Sequence, residues 1–151
     1  MIFTDSNILI DIIERDPTWH DWSVGQMAEA SRVGRVAINH VVVAEVAPYA
    51  GTLETFLDRL EAMGLEIEPL CNGSAYAAGS AFRSYCLRRD RSAPKAILPD
   101  FLIGGHAATL GATILTRDPR FYRRYFPSVP LIAPTAPAKS PAPAARHNCS
   151  Q

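Results

Sequence analysis

The sequence predicts an α/β domain of three layers, α/β/α, with a central parallel sheet between two sets of helices. Two observations predict it. Short β-branched runs such as Val36-Ala37-Ile38 and Ala112-Thr113-Ile114-Leu115-Thr116 alternate with longer segments whose apolar residues recur every three or four positions. The chain has 151 residues, 48% of them hydrophobic, which suffices for one well-filled core and starves a second.

Phe3-Thr4-Asp5 ends the first strand, and Ile8, Leu9, Ile12 and Ile13 then recur at helical spacing, so Asp5 and Ser6 stand at a strand-to-helix turn. A second helix is expected over 16–32, opened by Asp16-Pro17, with Trp19, Trp22, Val24, Met27 and Ala30 facing inward in part. Residues 36–38 read as the next strand. Asn39 is a suitable cap for a helix over 40–49, and a further helix over 53–63 repeats Leu53, Phe56, Leu57 and Leu60 on one face. Leu65, Ile67 and Pro69 alternate with Glu66 and Glu68, which predicts a brief strand near the sheet edge. Asn72 can cap a helix over 73–89, followed by a polar loop through Asp90, Ser92 and Pro94. Pro99 suits the first turn of a helix carrying Phe101, Leu102, Ile103 and Ala107, and Gly111 ends that helix. Residues 112–116 then read as a buried strand closing on Asp118-Pro119, and a short helix over 120–126 leads to a last strand at Leu131-Ile132. The domain is expected to span 1–134. Residues 135–151 are rich in alanine and proline and lack periodicity, so they are expected to be a disordered tail that adds little to folding.

The formal net charge of zero is a cancellation between two halves. Residues 1–68 hold twelve acids against four bases, a net of −8; residues 69–151 hold eleven bases against three acids, a net of +8. A basic half suits a polyanionic partner, and a solvated arginine face explains it equally well on composition alone. The longest apolar stretch, 101–115, is interrupted by Gly104, Gly105, His106 and Thr109 and falls short of the roughly 20 residues a bilayer span needs. Met1-Ile2-Phe3-Thr4-Asp5 reads as a strand rather than a secretory signal, and Cys71, Cys86 and Cys149 form neither a disulfide framework nor a Cys-x-x-Cys site. A cytoplasmic location without membrane attachment is expected.

Four of the acids occupy unusual positions. Asp5 and Asp118 fall at the carboxyl ends of expected strands, the rim where open parallel sheets bind ligands. Asp100, in Ile97-Leu98-Pro99-Asp100-Phe101-Leu102-Ile103, and Glu45, in Val41-Val42-Val43-Ala44-Glu45-Val46-Ala47, are lone carboxylates inside apolar runs, which is costly without compensation. Each also has a plain structural explanation: Asp5 as a helix N-cap, Asp100 as a first-turn acid, Asp118 as a turn former, Glu45 as a surface residue. Taken jointly they favour a divalent-cation site, because Mg²⁺ and Mn²⁺ prefer oxygen ligands and sit between carboxylates and phosphates. No side-chain nucleophile is evident. Cys86 lies in an expected helix and no histidine is spaced to pair with it; His106, six positions from Asp100, lies about a third of a turn off that residue's face.

Thr4-Asp5-Ser6-Asn7-Ile8-Leu9 resembles the opening motif of PIN domains. Ala44-Glu45-Val46 resembles their second acidic position, Leu98-Pro99-Asp100-Phe101-Leu102-Ile103-Gly104-Gly105-His106-Ala107 their third, and Leu115-Thr116-Arg117-Asp118 with Phe121 and Phe126 their fourth. The stretch around Asp100 is especially similar to VapC-type toxins of VapBC toxin–antitoxin systems. The resemblance implies a PIN-like fold over 1–134 and metal binding by Asp5, Asp100 and Asp118, with Glu45 joining directly or through a water. It assigns supporting polar roles to Ser6, Asn7 and Thr116. The implied activity is Mg²⁺- or Mn²⁺-dependent endoribonuclease cleavage by activated water. Implied partners are an RNA substrate, a cognate antitoxin and a second copy of the chain. Arg83, Arg88, Arg89, Arg117 and Arg120 are candidates for phosphate contacts, with Arg91, Arg123 and Arg124 beside them. Two alternatives are weighed against this reading. A receiver-like phosphoacceptor fits poorly, since Asp5 is followed by Ser6 and Asn7 and the third strand runs into Cys71 and Asn72; a non-catalytic RNA-binding PIN-like domain would be favoured by loss of a quartet acid, and none is lost.

Overall fold

Runs of two or three extended residues, the central ones buried on both faces, alternate with amphipathic helices in a computed structural model that describes residues 1–88 and 98–135. The expected loop through Asp90, Ser92 and Pro94, together with Arg89, Arg91 and residues 136–151 of the expected tail, lies outside the described residues. Chain order is β1 (Ile2–Thr4), α1 (Ser6–Ile13), α2 (His20–Val33), β2 (Val36–Ile38), α3 (His40–Ala50), α4 (Leu53–Ala62) and β3 (Leu65–Ile67). It continues with α5 (Asn72–Arg88), α6 (Leu98–Leu110), β4 (Thr113–Leu115), α7 (Pro119–Tyr125) and β5 (Leu131–Ile132). The strands form one parallel sheet in the order β3-β2-β1-β4-β5, between helical layers. Ile2 pairs with Val36 on one side and with Thr113 on the other, so β1 is central. The chain leaves β1 in one direction for β2 and β3 and returns to its other side for β4. A crevice therefore opens beyond the carboxyl ends of β1 and β4, where the strand order reverses.

Phe3, Ala37, Ile38, Ile114 and Leu115 are fully buried, as a parallel sheet covered on both faces requires. Helix α1 adds Ile8 and Leu9, and α6 adds Phe101 and Ile103. Phe101 is the hub of an aromatic cluster, with ring centroids 4.8 Å from Phe121, 5.1 Å from Tyr125, 5.3 Å from Phe82 and 5.6 Å from Tyr85. These rings tie α5, α6 and α7 together. Gly105 lets α5 and α6 approach: a Cβ there would stand 2.7 Å from the Ala78 backbone nitrogen. No helix among the described residues is long and apolar enough to cross a membrane.

Several boundaries differ from the sequence expectation, each for a local reason. Helix α2 starts at His20 rather than Asp16, because the Asp16 carboxylate accepts the backbone N–H groups of Thr18 and Trp19 at 2.8 and 2.9 Å and closes a turn of its own. Its buried face is Ser23, Met27 and Ala30, and Val24 points to solvent. On α4 only Phe56 and Leu60 are buried; Leu53 is 67% and Leu57 44% exposed, since the helix touches the core along a narrow line. Asn72 is inside α5 rather than capping it. The cap is Cys71, whose sulfur accepts the Ser74 backbone N–H at 3.4 Å and lies 3.2 Å from the Ser74 hydroxyl.

Candidate functional site

The crevice beyond β1 and β4 is a pocket of about 330 Å³ lined by Asp5, Ser6, Asn7, Asp100, Arg117, Asp118, Phe121 and Tyr122. Three of the four expected acids therefore share one wall. Asp5 precedes α1 with the extended backbone of an N-cap, yet its side chain makes no capping bond. Its Oδ2 instead accepts Asn7 Nδ2 at 2.6 Å and the Thr116 hydroxyl at 2.7 Å, and its Oδ1 has a long contact of 3.5 Å from Ser6. Thr116 also accepts Asn7 Nδ2 and the Asp118 backbone N–H, both at 3.1 Å, and so ties the loop after β4 to the loop after β1. The supporting residues expected around Asp5 are thus hydrogen-bonded to it.

Glu45 approaches from α3. Asn39 fixes the start of that helix by accepting the backbone N–H groups of Val41 and Val42, while its amide meets the buried His106 ring of α6 at 3.3 Å. One side chain thereby sets the helix bearing Glu45 against the helix bearing Asp100. His106 serves this core contact and edges onto Phe3, away from the pocket lining. Burial pushes the Glu45 carboxyl above its ordinary pKa; the neighbouring Ser6 hydroxyl opposes this and the charge of Asp5 adds to it. Its Oε2 is buried with no hydrogen-bond partner.

Burial is also the main cause that pushes Asp100 up to about 6, and the charges of Asp5, Glu45 and Asp118 follow in that order. Asp100 thus feels the other three acids, and Glu45 feels Asp5. Asp5 is raised by burial against the hydrogen bonds that hold it. Asp118 is lowered, first by its hydrogen bond with Arg120, whose Nε donates at 3.0 Å. Tyr122 is buried, and desolvation followed by the charges of Asp5 and Asp100 holds its phenol well above the usual range, so it stays protonated.

As the side chains stand, no group of three or more His, Cys, Asp or Glu residues among the described residues is arranged to hold a metal ion. Asp118 is turned onto Arg120, and one oxygen of Asp5 is occupied by Asn7 and Thr116. Composition and charge nevertheless fit a divalent cation: the donors are all oxygen, Glu45 carries a buried acceptor with no partner, and Asp100 is raised by burial first and then by the charges of its acidic neighbours.

Among the arginines expected to meet phosphate, Arg83 and Arg88 are exposed on α5. Arg120 is spent on Asp118, and Arg117 is paired with Asp11 at 2.9 Å. Asp11 itself went unnoticed in the sequence. It is 1% exposed on α1, accepts the Ser23 hydroxyl at 3.0 Å, and stands in Ile8-Leu9-Ile10-Asp11-Ile12-Ile13, the same lone-acid signal that singles out Asp100 and Glu45. Tyr122 was missed as well, because nothing in Arg120-Phe121-Tyr122-Arg123 says which aromatic faces the acids.

The PIN domain profile matches residues 2–127. Among solved structures, the fold is similar to VapBC2 from Rickettsia felis bound to a DNA fragment from its promoter, with a TM-score of 0.66 at 21% identity over 88% of this chain and 98% of that one. It is also similar to a toxin–antitoxin complex from Klebsiella pneumoniae, with a TM-score of 0.60 at 17% identity over 92% and 99% of the two chains. DNA-bound VapBC from Salmonella typhimurium gives 0.61 at 20% identity over 87% and 96%. At these identities the likeness concerns the fold. No curated protein sequence matches the chain.

Proposed function

The chain belongs to the PIN domain family, and on that premise we propose that it is a metal-dependent endoribonuclease acting as the toxin of a toxin–antitoxin pair. The observation that carries the reading is convergence: Asp5, Asp100 and Asp118 line one pocket at the reversal of strand order, and the field of Glu45 reaches Asp100 there. Under this reading Asp5, Asp100, Asp118 and Glu45 hold Mg²⁺ or Mn²⁺. The ion, when bound, supplies positive charge for the phosphate and lowers the pKa of the attacking water. Asn7 and Thr116 hold Asp5 in one rotamer, so its orientation is set in advance. To hold the ion Asp118 would give up its pairing with Arg120, which would leave an exposed arginine beside the pocket for the RNA backbone. The complete quartet favours the catalytic reading over the non-catalytic alternative, and family membership argues against the receiver-like one.

The fold neighbours are complexes of toxin with antitoxin, which supports a cognate antitoxin as partner of this chain. A basic or aromatic antitoxin segment suits the acidic pocket by charge, and dimerisation of the chain belongs to the same reading. Expression of the chain alone is expected to arrest growth and fragment cellular RNA. Co-expression with the product of an adjacent antitoxin gene should relieve the arrest and yield a co-purifying complex. Harmless accumulation of soluble, intact protein counts against the toxin assignment.

A further inference from the structure

Arg117 is the one basic residue lining the acidic pocket, among the described residues. A long flexible cation beside Asp5, Asp100 and Asp118 has an obvious place to go, and Arg120 illustrates it: its guanidinium folds onto Asp118 at 3.0 and 3.3 Å. Arg117 does not. Its backbone N–H donates to Asn7 Oδ1 at 3.2 Å, and its Nη1 is drawn to Asp11 Oδ1 at 2.9 Å, with Asp16 a weaker second partner at 4.0 Å. Asp11 is buried, and its other oxygen accepts the Ser23 hydroxyl from α2 at 3.0 Å, so the anchor is itself held from a second helix. The Arg117 side chain stays 31% exposed, and its charge reaches Asp118 without pairing with it.

A buried carboxylate costs desolvation energy, and this one belongs to none of the four acids assigned to the metal. We propose that Asp11, fixed by Ser23, is a positioning residue that keeps Arg117 on the pocket wall as a standing cation for the scissile phosphodiester and holds it off the metal-binding carboxylates. The inference rests on the metal-dependent nuclease reading and deepens it. An acidic pocket repels a phosphodiester, and a fixed guanidinium beside the acids offsets that repulsion. Loose, the same guanidinium would compete with the divalent ion for Asp5 and Asp118. Asp11 therefore separates the two uses of positive charge in one site.

The test is Mn²⁺ binding by calorimetry, with cleavage of a labelled RNA at saturating Mn²⁺, on the full chain and two variants. In Asp11→Asn the released Arg117 should enter the acidic set and weaken Mn²⁺ binding about five- to tenfold, an ordinary coupling between neighbouring charged groups. Cleavage at saturating Mn²⁺ should fall about tenfold or more, as for loss of one oriented contact to the reacting phosphate. The double variant Asp11→Asn/Arg117→Met removes the pair together and should regain wild-type Mn²⁺ affinity while cleavage stays low. A merely structural Asp11 predicts no such recovery. Where Asp11→Asn is too unstable to assay, the double variant decides alone: wild-type affinity with impaired cleavage supports the proposal, and weakened affinity or full cleavage overturns it. Unchanged affinity and cleavage in Asp11→Asn also overturns it while leaving the nuclease reading intact. A wild type that takes up no Mn²⁺ overturns the metal reading and this inference together.

Discussion

Asp100→Asn is expected to reduce cleavage about a thousandfold or more while leaving the metal-free protein as stable as the wild type, or more stable, at pH 7.5. The substitution keeps shape and removes one charge from a set that repels itself. The Asp100 carboxyl titrates near 6 in the folded chain against an ordinary 3.8, so between those values the folded protein holds a proton that the unfolded chain has lost. Stability therefore falls as pH rises through this window; the penalty is absent below about pH 3.8 and complete above about pH 6. Asparagine never ionises. The variant's advantage, about 0.5 to 2 kcal/mol after allowing for solvent screening of a half-buried group, should be full at pH 7.5 and vanish near pH 4. Excess Mn²⁺ should raise the melting temperature of the wild type and leave that of the variant nearly unmoved, since a ligand stabilises only a state it can bind. A purely structural acid at the start of α6 predicts the reverse: Asp100→Asn melts lower in EDTA, ignores Mn²⁺ and still cuts. Melts of both proteins in EDTA and in Mn²⁺ across pH 4 to 8, with one cleavage assay, separate the two.

Gly105→Ala should destabilise the domain by about 2 to 3 kcal/mol and lower its melting temperature by about 5 to 10 °C. Alanine is the better helix former by about 1 kcal/mol, and that gain is already included. The new Cβ would meet backbone: the Ala78 nitrogen at 2.7 Å and its Cα and Cβ at 2.9 Å, so relief requires α5 and α6 to part. Parting them loosens Phe101 from Phe82 and Tyr85 and shifts the helix that carries Asp100. Gly79→Ala, on the same α5 with nothing within 4 Å of its added Cβ, is the control and should be neutral or gain about 0.5 to 1 kcal/mol. Equal melting temperatures for the two variants would show that the α5 to α6 contact is softer than described.

The order of strands and helices was legible because each element carries its own period, and Asn39, Pro99 and Gly111 mark boundaries by mechanisms that act within a few residues. The α2 boundary was misread for an equally local reason, since Asp16-Pro17 suits a helix start and an Asx turn alike. Exposure of Leu53 and Leu57 could not be read from α4, because the width of a buried stripe depends on what packs against it. Within the site, the identity of the acids was readable and their present partners were not. Asp118 turns to Arg120 and Arg117 to Asp11, and choosing between two neighbouring arginines needs the position of α1. A sulfur cap at Cys71 lies outside the usual oxygen capping residues and leaves no pattern to search for. Asp11 is the opposite case: it carries the same lone-acid signal in its apolar run as Asp100 and Glu45, and its partner is an arginine from a distant loop.

Whether the acidic quartet cleaves RNA through a divalent ion and water is tested most directly by the chemistry of the new ends. A 5′-labelled and a 3′-labelled RNA, incubated with the purified chain in Mg²⁺, in EDTA, and in EDTA followed by excess Mn²⁺, should give fragments only when metal is free. Those fragments should end in 5′-phosphate and 3′-hydroxyl, because water rather than the ribose 2′-hydroxyl attacks the phosphorus. Cleavage that persists in EDTA and leaves 2′,3′-cyclic phosphates would contradict the account.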